Sequence, residues 1–154
     1  MDAAPLVILM AEDDEGHATL VRRNLRRAGV VNEVVWVKDG REALDYINRE
    51  GAYAERDRVG ALVILLDIKM PVMDGVEVLR CLKADEITKM IPVMMLTTTD
   101  DPREVERCYS LGCSVYVTKP VEYGEFREAV RQLGLFLQFV QVPDQDMRWR
   151  YQVC

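Results

Sequence analysis

The chain has one histidine, six prolines, 7% aromatic residues and no run of apolar residues long enough to cross a bilayer, which takes about 18 or more. The missing run excludes a membrane-spanning helix. The first five residues carry no Lys or Arg, and the apolar run at residues 6–10 is too short for the core of a secretion signal. A cytoplasmic location is therefore expected. There is no excess of positive charge: 20 Lys and Arg stand against 26 Asp and Glu, for a net charge of −6. That balance argues against a nucleic-acid binder, which needs a basic face. Cys81, Cys108, Cys113 and Cys154 show neither CxxC nor metal-type spacing. They are expected to be free thiols, with Cys81 and Cys108 in or near the core.

What is present is one domain's worth of chain. It has 154 residues, 49% of them hydrophobic and 30% charged, the profile of a globular fold. Short apolar runs alternate with helical patterns five times. Runs at residues 6–10, 34–37, 62–66, 92–96 and 114–117 read as strands. Between them lie amphipathic stretches punctuated by Gly29, Asp39-Gly40, Asp74, Asp101-Pro102 and Gly112. A last helix is expected over about residues 122–142. Continuous rather than alternating apolar strands mean that both sheet faces are covered. The expected fold is α/β, a doubly wound five-stranded parallel sheet with helices on both faces. Residues 5–142 form the domain; residues 143–154 form a tail with no clear apolar period and too short for an output domain.

In such sheets, sites lie beyond the carboxyl ends of the strands. Glu12, Asp13 and Asp14 follow the first strand, Asp67 the third, Thr97 to Thr99 the fourth, and Thr118, Lys119 and Pro120 the fifth. Glu12, Asp13 and Asp67 would meet at one edge, where like charges repel unless a cation lies among them. Hard oxygen ligands favour Mg²⁺. A carboxylate nucleophile, a divalent ion, the Thr97 hydroxyl and the Lys119 ammonium together suit an aspartyl-phosphate. Acidic residues after a strand are also common helix N-caps, and Asp14 is expected to be one.

The segments AEDDEGHA, LLDIKMPVMDG, MMLTTTDD and VYVTKPV resemble, in order and spacing, the receiver domain of bacterial two-component response regulators, whose fold is flavodoxin-like and CheY-like. The resemblance spans about residues 5–140. It implies that Asp67 is the phosphoacceptor, that Glu12 and Asp13 serve Mg²⁺ together with Asp67 and the Lys69 backbone carbonyl, and that Thr97, Tyr116 and Lys119 are the switch hydroxyl, switch aromatic and phosphate-binding lysine. It also implies a cis Lys119–Pro120 bond. INREGAYAERDRVGALVILLD, TTTDDPREVERCYSLGCSVYVTKPVEYGEF and LFLQFVQVP further resemble stand-alone receivers that partner bacterial phytochrome histidine kinases. Lys69 and Thr99, each two residues past a site residue, stand where this family tunes phosphate lifetime.

The resemblance thus implies a phosphoacceptor serving a sensor histidine kinase, not a conventional enzyme. A dehalogenase-type phosphatase would need an Asp where Lys69 stands. A flavin site would need a phosphate-cradling loop where Glu12 to Asp14 repel phosphate. A pseudo-receiver that binds partners without taking phosphate usually loses the acidic pair, the acceptor or the lysine, and all are present.

The last helix carries a core stripe of Phe126, Ala129, Val130, Leu133, Leu137 and Val140, with Leu135, Phe139 and Val142 nearly opposite. The second stripe suits either a homodimer interface, which the resemblance favours, or a cover made by the tail. Arg22, Arg23, Arg26 and Arg27 form either a solvated face or a dock for an acidic partner. His17 is expected to be exposed, and Trp149 and Tyr151 to lie in the tail.

Overall fold

A computed structural model describes residues 6–57 and 60–143. Five strands, β1 (Leu6–Ala11), β2 (Val34–Val37), β3 (Ala61–Leu66), β4 (Val93–Thr97) and β5 (Val115–Thr118), form one parallel sheet in the order β2-β1-β3-β4-β5. Helices α1 (Glu15–Arg27), α2 (Gly40–Asn48), α3 (Gly75–Ala84), α4 (Pro102–Leu111) and α5 (Tyr123–Leu137) connect and flank it. The doubly wound parallel fold read from the sequence is the fold observed.

The central strands obey the two-residue period of a sheet buried on both faces. Val7, Leu9 and Ala11 of β1 join Leu62, Ile64 and Leu66 of β3 in one core with α2 and α3. Ile8 and Met10 join Val63 and Leu65 in the other, against Ala18, Val21 and Leu25 of α1 and Phe126 and Val130 of α5. Fully burying one such Val, Leu or Ile side chain gives about 1.5–3 kcal/mol, so the register is strongly fixed. Ala11 pairs with Leu66, Leu66 with Met95, and Thr97 with Thr118. The residues just past these pairs therefore share one edge.

The helix starts are capped as their sequences dictate. The side chains of Asp14, Asp39, Asp74 and Asp101 accept from the backbone N–H groups of His17, Glu42, Glu77 and Arg103. Pro102 occupies the first turn of α4, and Gly112 (φ 110°) ends it in the left-handed region.

Strands β4 and β5 each lie one residue further along than expected, because Pro92 has no N–H to donate and Ser114 donates its own to the Val93 carbonyl outside the ladder. Helix α5 ends at Leu137, five residues early. Gln138 and Phe139 close tight turns onto the Leu135 and Phe136 carbonyls, and the Gln138 amide donates to the Ala28 carbonyl at 2.6 Å. Val142, before Pro143, is biased away from helix, and packs against the core rather than on the outer stripe. Phe136 takes its place beside Leu135 and Phe139 on the exposed side.

Cys108 is buried as expected, but Cys81 is exposed and Cys113 takes a core place instead. Cys81 lies off the Val78, Leu79 and Leu82 face of α3. Cys154 and the tail from residue 144 lie outside the described residues.

Two backbone features shape the β3–α3 connection. A Cβ on Gly75 would lie 1.9 Å from the Asp67 carbonyl oxygen, so only glycine lets α3 start against that strand end. Val72 has φ 67°, and Met73 N–H donates to the Pro71 carbonyl at 2.7 Å, which closes a γ-turn. A β-branched residue is strained there, whereas Asn tolerates positive φ. Val72→Asn is expected to raise stability by about 1 kcal/mol, read as a higher urea midpoint at unchanged slope. An unchanged or lower midpoint would show that the turn is not strained.

Candidate functional site

At the carboxyl edge of the sheet, β1 delivers Glu12 and Asp13, β3 Asp67, β4 Thr97, and the end of β5 Lys119. The backbone fixes each in turn. Glu12 N–H donates to the Val37 carbonyl at 3.0 Å, Asp67 N–H to the Ala11 carbonyl at 3.1 Å, and Lys119 N–H to the Thr97 carbonyl at 2.6 Å. Glu12, Asp67, Thr97 and Lys119 are buried, while Asp13 is exposed.

Among the described residues, Glu12, Asp13 and Asp67 bring carboxylate oxygens within 4.8 Å of one another. The Lys119 ammonium donates to Glu12 Oε2 in a short contact and to Asp67 Oδ2 at 3.2 Å. Asp67 Oδ1 accepts from the Ile68 N–H at 2.7 Å, and Glu12 Oε1 from the Asp14 N–H at 3.1 Å. Burial pushes the Glu12 carboxyl up to about 7, although the hydrogen bond and charge of Lys119 pull it down and the charge of Asp67 pushes it further up. Three carboxylates thus face one ammonium. This donor set, all hard oxygen and crowded with like charge, fits a small divalent cation. Lys69 lies exposed on the loop two residues past Asp67.

The Thr97 hydroxyl is buried without a hydrogen-bond partner. A buried hydroxyl left unpaired is costly, and here it adjoins the Asp67 strand end. Tyr116 packs partly against the core. Its hydroxyl donates to the Thr99 carbonyl at 2.5 Å, and its backbone N–H donates to the Tyr109 hydroxyl at 3.1 Å. Burial is the largest cause of a phenol pushed up to about 12, so it stays a donor at neutral pH.

The sequence-based expectations for this edge need three amendments. No cis peptide bond occurs among the described residues, so Lys119–Pro120 is trans, the form favoured by about 0.5–1 kcal/mol in X-Pro bonds, and Lys119 reaches its partners in that form. His17 is half-buried, not exposed: its ring stacks on Phe126 and its Nδ1 lies 3.2 Å from Lys119 Nζ. Its place in the first turn of α1, four residues past Asp13, was the available signal. Trp36, read only as a strand residue, donates its indole N–H to the Glu12 carbonyl at 2.7 Å and so pins the acidic pair from the edge strand.

The response regulator receiver domain family matches residues 8–131 of the chain. The chain belongs to that family. Among its relatives, the response regulator Rcp1 of Synechocystis is 32% identical over 90% of this chain and 94% of its own length. A receiver domain structure from Rhodospirillum rubrum is 47% identical, with a TM-score of 0.81 over 90% of this chain and 97% of that one. The phosphorylated cyanobacterial phytochrome response regulator RcpA is 34% identical, with a TM-score of 0.81 over 92% of this chain and 99% of that one. The Mn²⁺-bound form of Rcp1 superposes with a TM-score of 0.83 at 31% identity, over 90% of this chain and 99% of that one. Among the described residues no helix is long and apolar enough to cross a membrane.

The Glu12 carboxyl gives this receiver a pH signature. Its folded-state value is raised from 4.5 to about 7, so between those values the folded protein holds a proton that the unfolded chain has lost. Stability from this group is present at low pH and falls as pH rises through that window. In metal-free protein, Glu12→Gln is expected to remove that falling component, read as melting temperature against pH from about 4.5 to about 7.5. A variant whose pH profile parallels the parent would refute the assignment.

Proposed function

We propose that Asp67 accepts a phosphoryl group from a phosphohistidine on a sensor histidine kinase. The observation that carries this reading is the Asp67 carboxylate at the strand end, held by the Ile68 N–H on one oxygen and Lys119 on the other, beside the unpartnered Thr97 hydroxyl. A carboxylate oxygen attacks phosphorus in line. The O–P bond forms as the P–N bond of the donor breaks, and that electron pair stays with the donor imidazole. Lys119 and the Thr97 hydroxyl then face the phosphoryl oxygens and offset their charge. Glu12, Asp13, Asp67 and the Lys69 backbone carbonyl are the groups that would hold Mg²⁺, which supplies the remaining positive charge. The Mn²⁺-bound form of Rcp1 supports a divalent ion at this edge.

On this reading the chain is a phosphoacceptor that assists its own chemistry, not a conventional enzyme, and works in the cytoplasm. Phosphorylation draws Thr97 toward the phosphoryl group. Tyr116 then exchanges its bond to the Thr99 carbonyl for an inward packing, which changes the face formed by α4, β5 and α5. The likeness to the cyanobacterial phytochrome response regulator RcpA supports a phytochrome as the kinase. The exposed Arg22, Arg23, Arg26 and Arg27 offer it a basic helix face.

The test is acetyl phosphate with and without Mg²⁺, read by intact-protein mass, with Asp67→Asn alongside. One added phosphoryl group, dependent on Mg²⁺ and absent from the variant, is expected. No gain in the parent under either condition would sink the reading in favour of a phosphate-independent binding module.

The output we assign is a homodimer through α5. Leu135, Phe136 and Phe139 are 41%, 54% and 80% exposed, and they stand together at the end of the helix. A patch of this kind on a folded domain suits a partner surface. Phe139→Asp is expected to convert dimer to monomer in sedimentation velocity without lowering the melting temperature. A parent that stays monomeric with and without phosphorylation would refute the dimer.

A further inference from the structure

Among the described residues, His17 is the side-chain partner of Lys119 that phosphoryl transfer leaves unused. An ammonium carries three hydrogens and no acceptor. Those of Lys119 are directed at Glu12 Oε2, Asp67 Oδ2 and His17 Nδ1, the last at 3.2 Å. The lysine can only donate, so as a hydrogen bond this contact takes Nδ1 as its acceptor, which requires the Nε2-protonated tautomer. The ring is held from two sides. It stacks on Phe126 of α5, with centroids 5.9 Å apart and planes at 29°, and its own backbone N–H donates to Asp14 Oδ1 at 2.9 Å.

The three partners differ in what else they must do. Glu12 and Asp67 belong to the acidic cluster that fits a cation, and Asp67 is also the group that would be esterified. Either can turn away from the lysine during the reaction. His17 lies outside that cluster, on the first turn of α1, and has no second task. We propose that His17 is a positioning residue for Lys119: its Nδ1 keeps the ammonium at the strand end while a phosphoryl oxygen replaces the Asp67 carboxylate as the third acceptor. The inference rests on the reading of Asp67 as phosphoacceptor.

Two substitutions separate the ring's contacts. His17→Phe keeps a ring against Phe126 and loses the acceptor. His17→Asn loses the ring and keeps an acceptor oxygen near the place of Nδ1. With saturating Mg²⁺ and acetyl phosphate, His17→Phe is expected to take up phosphate about tenfold more slowly than the parent, and His17→Asn to stay within about twofold of it. A purely structural role would give the reverse order. Parental speed in His17→Phe, or an equally slow His17→Asn, would overturn the proposal. Nitrogen-15 NMR of the imidazole in the unphosphorylated protein decides it without phosphorylation. A proton on Nε2 and a hydrogen-bonded, bare Nδ1 are expected, and a ring protonated on Nδ1 would overturn the inference. A parent that takes no phosphoryl group would instead sink the phosphoacceptor reading, and the NMR result would still decide His17.

Discussion

A lysine ammonium buried at the end of a parallel sheet ties four strands of this receiver into one site. Lys119 leaves β5, its backbone N–H is held by the Thr97 carbonyl of β4, and its side chain reaches Asp67 beyond β3 and Glu12 beyond β1. Removing the lysine from such a buried arrangement would cost about 3–5 kcal/mol, because the carboxylates would be left without their counter-charge. The arrangement is itself underpaired, with three carboxylates against one cation. The fold tolerates it because the central strands bury apolar side chains on both faces and hold the edge in place whatever its charge. Stability is made in the two cores and is partly given up at the edge.

That division explains which parts of the molecule are rigid. The start of α3 is pressed onto the Asp67 backbone so closely that a Cβ at Gly75 has no room. Trp36 pins the Glu12 carbonyl from the edge strand. The backbones that carry Glu12 and Asp67 are thus held by main chain and by a neighbour outside the cluster, which fixes where their side-chain oxygens stand.

The sequence made the sheet, its strand order class and the residues of its carboxyl edge legible, because each rests on a local rule. Continuous apolar strands mark a doubly covered parallel sheet. Asp14, Asp39, Asp74 and Asp101 mark helix starts, and chemistry follows strand ends. What it left hidden depends on tertiary geometry. The apolar period of α5 runs on past Leu137, yet the Gln138 and Phe139 backbone N–H groups turn onto the Leu135 and Phe136 carbonyls, while the Gln138 side chain bonds the carbonyl of Ala28, the cap of α1. His17 reads as an exposed first-turn residue until α5 brings Phe126 beneath it and β5 brings Lys119 beside it. The X-Pro bond after Lys119 has no local signal that fixes its isomer. Cys81 falls off the buried face of α3, whereas Cys113, in the turn between α4 and β5, is carried into the core by tertiary packing.

The helices differ in how firmly they are anchored, and the difference falls where a switch would need it. Helix α3 buries Gly75, Val76, Val78, Leu79 and Leu82, whereas α4 buries Cys108 alone. A helix held by one buried thiol and the half-buried Leu111 moves at less cost than one held by a full apolar stripe. Helix α4 follows directly on Thr97 and Thr99, and it carries Tyr109, whose hydroxyl accepts from the Tyr116 backbone. Motion of the Thr97 hydroxyl toward a phosphoryl group and release of Tyr116 from the Thr99 carbonyl would therefore act first on the least anchored helix. The rigid half of the site, built on β1, β3 and α3, can hold ligand geometry while the half built on β4, β5 and α4 changes. Receiver chemistry needs both, and here they are separated by which helices the core grips.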